Sequence, residues 1–331
     1  MTGNTQILNA PVTTMTLNPA IDVTIGLDKL TVGEVNRAKT YRADMGGKGI
    51  NVAATLAAGG VQTAVTGLLG KDNAEFFKKA FAAKNMENGF LYAAGSTRSN
   101  VKIVSQHETT DVNLPGLPVT EDILTGLRQI LLHAKSQFLV LSGSVPPQCP
   151  DSVYADFLKF YAEQTGGKKA KCIVDCSGKP LKALLAGSVR PFCIKPNNDE
   201  LAEWAGEQLN SQAEILAKAR ALHKTGIALV VVSMGGKGAL FVAGDNAYFA
   251  GIKLSHVEST VGAGDAMVAG ITAVLHRHNV RTDTISAEIL EDIARNSTLW
   301  AAGKLQCHGP DLPSKDIMQK LAGQIRCEKL A

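Results

Sequence analysis

Ser259-Thr260-Val261-Gly262-Ala263-Gly264-Asp265-Ala266-Met267-Val268-Ala269-Gly270 is a turn of small residues that opens a helix. Gly262 and Gly264 permit positive φ and let a ligand approach the backbone closely. The first N–H groups of the following helix have no intrahelical partners, and the dipole there favours negative charge. An anion belongs on such a turn, and phosphate is the obvious one. Asp265 lies inside it, where a carboxylate repels phosphate unless it has a task. Accepting the proton of an attacking hydroxyl is such a task. The competing reading is an ordinary helix start with Asp265 as its N-terminal charge. Short glycine motifs recur by chance, so the rest of the chain has to decide.

Upstream of this turn the apolar pattern alternates between strand and helix. Helix Glu121 to Ala134 precedes strand Phe138 to Leu141, and helix Ser152 to Gln164 precedes strand Cys172 to Val174. Helix Pro180 to Ala186 leads to Phe192-Cys193-Ile194, and helix Gln212 to Lys224 leads to strand Ala228 to Ser233. Helices Ala263 to His276 and Ala287 to Ala302 follow the turn. This alternation implies an α/β fold with a mostly parallel sheet covered by helices on both faces. Ligands of such sheets bind beyond the carboxyl ends of the strands. Asn18, Ser142-Gly143, Asp175, Lys195-Pro196-Asn197 and Ser233-x-Gly235 all fall there, which argues that they make one site.

The N-terminal third reads differently. Val12 to Leu17 is a short strand stopped by Asn18-Pro19, with Asp22 just beyond it, placed either as a turn residue or to accept hydrogen bonds from sugar hydroxyls. Val23 to Arg42 and Ser99 to Asn113 alternate like hairpins with one wet face. Between them Gly46-Gly47-Lys48-Gly49-Ile50-Asn51-Val52-Ala53 is a second glycine turn feeding a helix, with Lys48 and Asn51 suited to an anionic, hydroxylated ligand. It has neither P-loop nor dinucleotide-fold spacing. Arg98 and Lys102 are either surface cations or, on one strand, a grip for phosphate.

Composition narrows the class. The 331 residues carry 45% apolar and 19% charged side chains, enough for one large domain, or one domain with a small appendage. The net charge of +4 is spread without a basic run, so no nucleic-acid partner is expected, although anionic small molecules suit it. No apolar stretch is long enough for a membrane span, and Met1 to Ala10 lacks the pattern of a signal peptide. Cys149, Cys172, Cys176, Cys193, Cys307 and Cys327 form no Cys-x-x-Cys pair, so neither zinc nor disulfides are expected and a cytoplasmic location fits.

Taken together, these motifs resemble the ribokinase-like sugar kinases of the PfkB family from Thr14 to about Pro313. The blocks Gly46–Ala53 and Ser259–Gly270 are similar to its two signature patterns, with Ser142–Pro146, Lys195-Pro196-Asn197-x-x-Glu200 and Ser233-x-Gly235-x-x-Gly238 in order between them. The resemblance implies an ATP-dependent hexose-phosphate kinase using Mg²⁺. It implies an α/β core over 12–22, 43–97 and 114–326, with a small β-lid over 23–42 and 98–113 that often makes a dimer contact. Asp265 would be the base, with Gly262, Ala263 and Gly264 the anion hole. Asp22, Gly46, Gly47 and Asn51 would hold the sugar. Arg98 would clamp its phosphate, with Lys48 and Lys102 as further cations. Lys195, Asn197, Ser233, Gly235 and Gly238 would line the nucleotide, and Glu200 would help hold Mg²⁺ through water. Cys307-His308-Gly309-Pro310 departs from the family's adenine and cation stretch. Gly33–Asn36, Leu69–Asn73 and Thr97–Lys102 are most similar to the branch that phosphorylates fructose 1-phosphate. The residues themselves leave fructose 6-phosphate, tagatose 6-phosphate and a non-catalytic sugar-phosphate sensor open.

Overall fold

A computed structural model describes residues 7–105, 108–166, 170–307 and 311–331. The chain opens with strands Val12–Thr16 (β1), Ala20–Leu27 (β2) and Thr40–Gly46 (β3), then helix Lys48–Ala58 (α1). Thr63–Gly70 (β4), Ala74–Ala83 (α2) and Glu87–Ala93 (β5) follow, then Ser99–Ser105 (β6) and Glu108–Asn113 (β7). The alternating half comprises Glu121–His133 (α3), Phe138–Ser142 (β8), Val153–Thr165 (α4), Lys171–Asp175 (β9), Gly178–Ala186 (α5), Cys193–Ile194 (β10), Asn198–Ala205 (α6), Gln212–His223 (α7) and Leu229–Ser233 (β11). It ends with Ala239–Ala243 (β12), Asn246–Gly251 (β13), Ala263–Arg277 (α8), Ala287–Lys304 (α9), Lys315–Ala322 (α10) and Arg326–Leu330 (β14).

Ten strands form one sheet in the order β14-β13-β12-β11-β10-β9-β8-β1-β4-β5. From β11 to β5 every pairing is parallel, and β12, β13 and β14 add antiparallel strands at one edge. The parallel strands are apolar on both faces because helices cover both. On β8, Leu139 and Leu141 join the core under α3 to α7, while Phe138 and Val140 face the core of α1, α8 and α9. Val230 and Val232 of β11 divide from Leu229 and Val231 in the same way. A third cluster packs Phe77 and Phe81 of α2 against Ile50 of α1 and Val65 of β4.

The small sheet has the order β3-β2-β6-β7. Strand β2 pairs antiparallel with β3 and parallel with β6. The pairing of Ala20 with Gly46 carries this sheet up to the glycine turn before α1, so it takes in more chain than 23–42 and 98–113. Strand β3 therefore ends at Gly46, a residue expected to touch a ligand.

Local chemistry explains the helix starts. Asn197 caps α6 and Ser211 caps α7, each in a reciprocal box with a glutamate at the third helical position. Helices α1 and α8 differ. They begin at Gly47 and Gly262 with no side-chain cap, leaving their first N–H groups available to a ligand. Of the two glycines expected to need positive φ in the second turn, only Gly262 has it, at 80°. Gly264 already lies inside α8, where any side chain could follow the backbone.

Candidate active site

The parallel register builds the polar centre. Ile194 pairs with Val174, so Asp175 ends β9 beside Lys195, the residue that follows β10. The Lys195 Nζ lies 3.3 Å from Asp175 Oδ1. From the other side Lys48, the first residue of α1, places its Nζ 3.3 Å from Asp175 Oδ2. Asp175 is buried. Burial alone would push its carboxyl up, but Lys195 and Lys48 outweigh it and hold the group below the usual range. Burial likewise works against the charge of Lys48, and the Asp175 and Asp265 carboxylates reverse this and raise its pKa.

Asp265 stands in the first turn of α8 and is 6% exposed. Asn51 Nδ2 donates to Asp265 Oδ2 at 2.9 Å. That bond fixes the carboxylate plane, and Oδ1 keeps no protein donor among the described residues. Burial, followed by the negative charge of Asp175, pushes Asp265 up to about 6, against the pull of Lys48, Asn51 and Lys195. A carboxylate tuned towards neutrality in a recess beside lysines is a base suited to near-neutral conditions. Lys195 reaches the same turn: a Cβ on Gly264 would lie 3.5 Å from its Nζ.

One cavity borders this turn, and a second lies beyond the ends of β10 and β11. The first, of about 580 Å³, lies between the small sheet and the core and is lined by Asp22, Asn51, Asn100, Lys102, Gly262 and Lys304 among others. Asp22 and Asn100 are register partners on β2 and β6, and Asn100 Nδ2 donates to Asp22 Oδ1 at 2.8 Å. Burial raises the Asp22 carboxyl. Gly46 has to be glycine, because a Cβ there would fall 2.2 Å from Asp22 Oδ2. A Cβ on Gly47, at φ 112°, would fall 2.7 Å from Thr16 Cγ2 and 3.0 Å from Pro19 Cα. The second cavity, of about 590 Å³, is lined by Asn197, Ser233, Gly235 and Lys237 beyond β10 and β11. Gly238, at φ 105°, packs against the Ala250 carbonyl, where a Cβ would lie at 2.5 Å.

Other expected site residues sit less directly. Arg98 lies outside the linings of both cavities. It donates to the carbonyls of Leu114 at 3.1 Å and Asn18 at 3.3 Å, while its buried Nε has no partner. Asn18 Oδ1 and Asn100 Oδ1 are also buried without partners, so unsatisfied polar atoms accumulate at the base of the small sheet. Glu200 Oε2 accepts from Asn197 N at 2.8 Å in the capping box. Its negative charge also reaches Lys48, so the carboxylate borders the same centre. His308, Gly309 and Pro310 lie outside the described residues.

The motifs alone gave no role to Asp175, Asn100 or Lys304. A strand-end aspartate was visible, but its partners stand 127 positions before and 20 after it and meet only through sheet register. Asn100 was legible as a polar residue on an alternating strand. Lys304, in the last turn of α9, reads as an ordinary helix-end cation; it is 4% exposed and lines the first cavity.

The profile of the pfkB family of carbohydrate kinases matches residues 15–317. The chain belongs to that family. The 1-phosphofructokinase of Xanthomonas campestris pv. campestris is 43% identical over 299 residues, covering 88% of this chain and 90% of that protein. The 1-phosphofructokinase of Rhodobacter capsulatus is 37% identical, covering 96% and 98%. Among solved structures, phosphofructokinase-2 from Escherichia coli in complex with fructose-6-phosphate superposes with a TM-score of 0.82 at 26% identity, covering 95% of this chain and 98% of that one. The pfkB fold thus accounts for the sheet order and for the small sheet. Among the described residues no helix is long and apolar enough to cross a membrane.

Proposed function

We propose that the chain transfers the γ-phosphoryl group of ATP to O6 of fructose 1-phosphate, giving fructose 1,6-bisphosphate and ADP. The observation that carries this reading is Asp265, buried at the uncapped start of α8 and hydrogen-bonded by Asn51, which together with Gly262 lines the first cavity. The sugar phosphate occupies the first cavity, with Asp22, Asn51 and Asn100 on its hydroxyls. Its 1-phosphate lies towards Arg98 and Lys102. ATP occupies the second, along Asn197, Ser233, Gly235 and Gly238, with Lys195 on its phosphates. The Asp265 carboxylate accepts the O6 proton as O6 bonds to the γ-phosphorus and the bond to the ADP oxygen breaks. The free N–H groups of Gly262, Ala263 and Gly264 stabilise the charge of the transferring group.

Mg²⁺ fits this donor set as a companion of the nucleotide. Among the described residues no cluster of three or more metal-binding side chains forms a cage, and Mg²⁺ commonly uses one or two carboxylates together with substrate phosphates. Glu200 would hold it through water, since Oε1 is not used by the capping box. When bound, the ion neutralises charge on the phosphates. The small sheet serves as a lid and, in a homodimer, as the contact: Val32 and Val35, on the connection between β2 and β3, and Tyr41 are exposed by 91%, 83% and 69%, more apolar surface than a lone lid requires. A cytoplasmic setting suits the free cysteines.

The test is a coupled ADP-release assay over fructose 1-phosphate, fructose 6-phosphate and tagatose 6-phosphate. We expect kcat/KM for fructose 1-phosphate to lead by at least ~10-fold, about 1.4 kcal/mol of discrimination. Tagatose 6-phosphate in first place would overturn the acceptor and keep the kinase. Binding without ADP release would instead favour a sensor.

A further inference from the structure

The cavity between the small sheet and α8 contains three cations with different surroundings. Arg42 is ion-paired to Asp44 at 2.6 Å, and Lys102 lies 3.9 Å from Asp111. Lys304 has no carboxylate within ion-pair distance among the described residues. Its Nζ makes one long hydrogen bond, 3.4 Å, to the Cys307 carbonyl. It is nonetheless the most buried of the three, at 4% exposure. A buried ammonium without a counter-charge is costly, and proteins usually pair it or lose it. Burial, the largest influence, together with the Arg42 charge, lowers its pKa.

Its position says what the cation is for. A Cβ on Gly262 would lie 3.0 Å from Lys304 Cε, so the side chain runs directly against the left-handed residue that starts the anion turn. The charge of Asp265 is also felt at Lys304. The lysine therefore stands beside the anion turn, whereas Lys102 belongs to β6 of the small sheet. Resting on the kinase reading above, we propose that Lys304 is a catalytic residue whose ammonium contacts the phosphoryl group as it passes to the acceptor, adding a positive charge to the N–H groups of the turn. Among the described residues no carboxylate pairs with this cation, and the phosphoryl dianion supplies its partner.

The experiment compares wild type, Lys304→Met and Lys304→Arg, using whichever sugar phosphate the wild type turns over fastest. A different preferred acceptor would then overturn the substrate assignment alone. We expect Lys304→Met to lower kcat by about 10- to 100-fold, the range for a charge-assisted hydrogen bond, with KM for ATP and sugar phosphate within ~3-fold. Lys304→Arg should recover part of the loss. Thermal unfolding supplies the readout that a structural role would not share. If the lysine serves the phosphoryl group, Lys304→Met melts at the wild-type temperature or above it. In addition, ADP with aluminium fluoride and sugar phosphate should protect wild type more than ADP alone, an increment that Lys304→Met loses. A kcat within ~3-fold of wild type overturns the proposal. So does a variant that unfolds, or that loses kcat and melting temperature together, because Lys304 would then only hold the end of α9.

Discussion

Replacing Asp265 with asparagine should make the protein more stable and nearly inactive, and the size of the first effect follows from the site. Burial beside Asp175 pushes the Asp265 carboxyl from 3.8 up to about 6. A folded-state pKa raised above the unfolded one means that the native state prefers the protonated form. The stability tied to this preference is complete below about pH 4 and is lost as pH rises to about 6. At pH 8 the ionised carboxylate therefore costs about 3 kcal/mol, at 1.36 kcal/mol per unit. Asparagine cannot ionise, and its oxygen can still accept from Asn51. For a chain of this length 3 kcal/mol corresponds to roughly 4 °C in melting temperature. Calorimetry of both proteins at pH 8 and pH 5 should show the variant melting higher at pH 8, with the difference about halved at pH 5. Turnover should fall by at least ~10²-fold. The wild-type rate should drop about tenfold per unit below pH 6 and be level above it. A variant that melts lower at pH 8, or a wild-type rate that ignores pH between 5 and 7, would refute the account of a buried, charge-strained base.

Two further substitutions test the surroundings. Asp175→Asn removes the counter-charge of Lys48 and Lys195 and should destabilise by about 3–5 kcal/mol in urea titrations; it also removes a negative neighbour of Asp265, so the acid limb of the rate profile should move to lower pH. Because Lys195 and Lys48 hold the Asp175 pKa below its ordinary value, the stability it contributes should be full at neutral pH and fade on acidification. Arg98→Ala should raise KM or lower kcat/KM for the sugar phosphate about 10- to 100-fold with the ATP KM little changed, and Arg98→Lys should recover only part; equal effects on both substrates would show that Arg98 only ties β6 to Asn18 and Leu114.

Much of this arrangement was legible because two strong signals coincide. The strand–helix period names the sheet, and the glycine turns before α1 and α8 name two helix starts without a side-chain cap. The two turns lie side by side, with Asn51 of α1 donating to Asp265 of α8 and Lys48 reaching Asp175 at the end of β9. The antiparallel edge was not legible. Strand β12 is buried at every position, which hides the alternation that would mark it, and β14 carries the charges of Arg326, Glu328 and Lys329, the sign of an edge strand rather than a buried one. Strand β5 was missed because its first residues, Glu87 and Asn88, are polar. The turn before α8 opens a helix as expected, but its conformational demand was spread over two glycines where Gly262 alone carries it. Contacts made by register, such as Asp175 with Lys195, need the sheet order before they exist.

That register sets the charge balance on which the chemistry depends. With Asp265 ionised, Lys48 and Lys195 are matched by Asp175 and Asp265, and the buried centre is neutral. On the mechanism proposed above, Asp265 would take the proton of the attacking hydroxyl, so that one negative charge disappears and the same cluster becomes positive by one. The change occurs as negative charge builds on the transferring phosphoryl oxygens a few residues away on the α8 turn. On that mechanism a single proton transfer would both free the nucleophile and switch the local field to favour the transition state. A neutral residue at 175 would leave two lysines facing one carboxylate. The centre would then be positive before any substrate arrived, Asp265 would hold its proton less tightly, and the field would favour the ground-state phosphates as much as the transition state. Asp175 keeps the centre neutral until the proton moves.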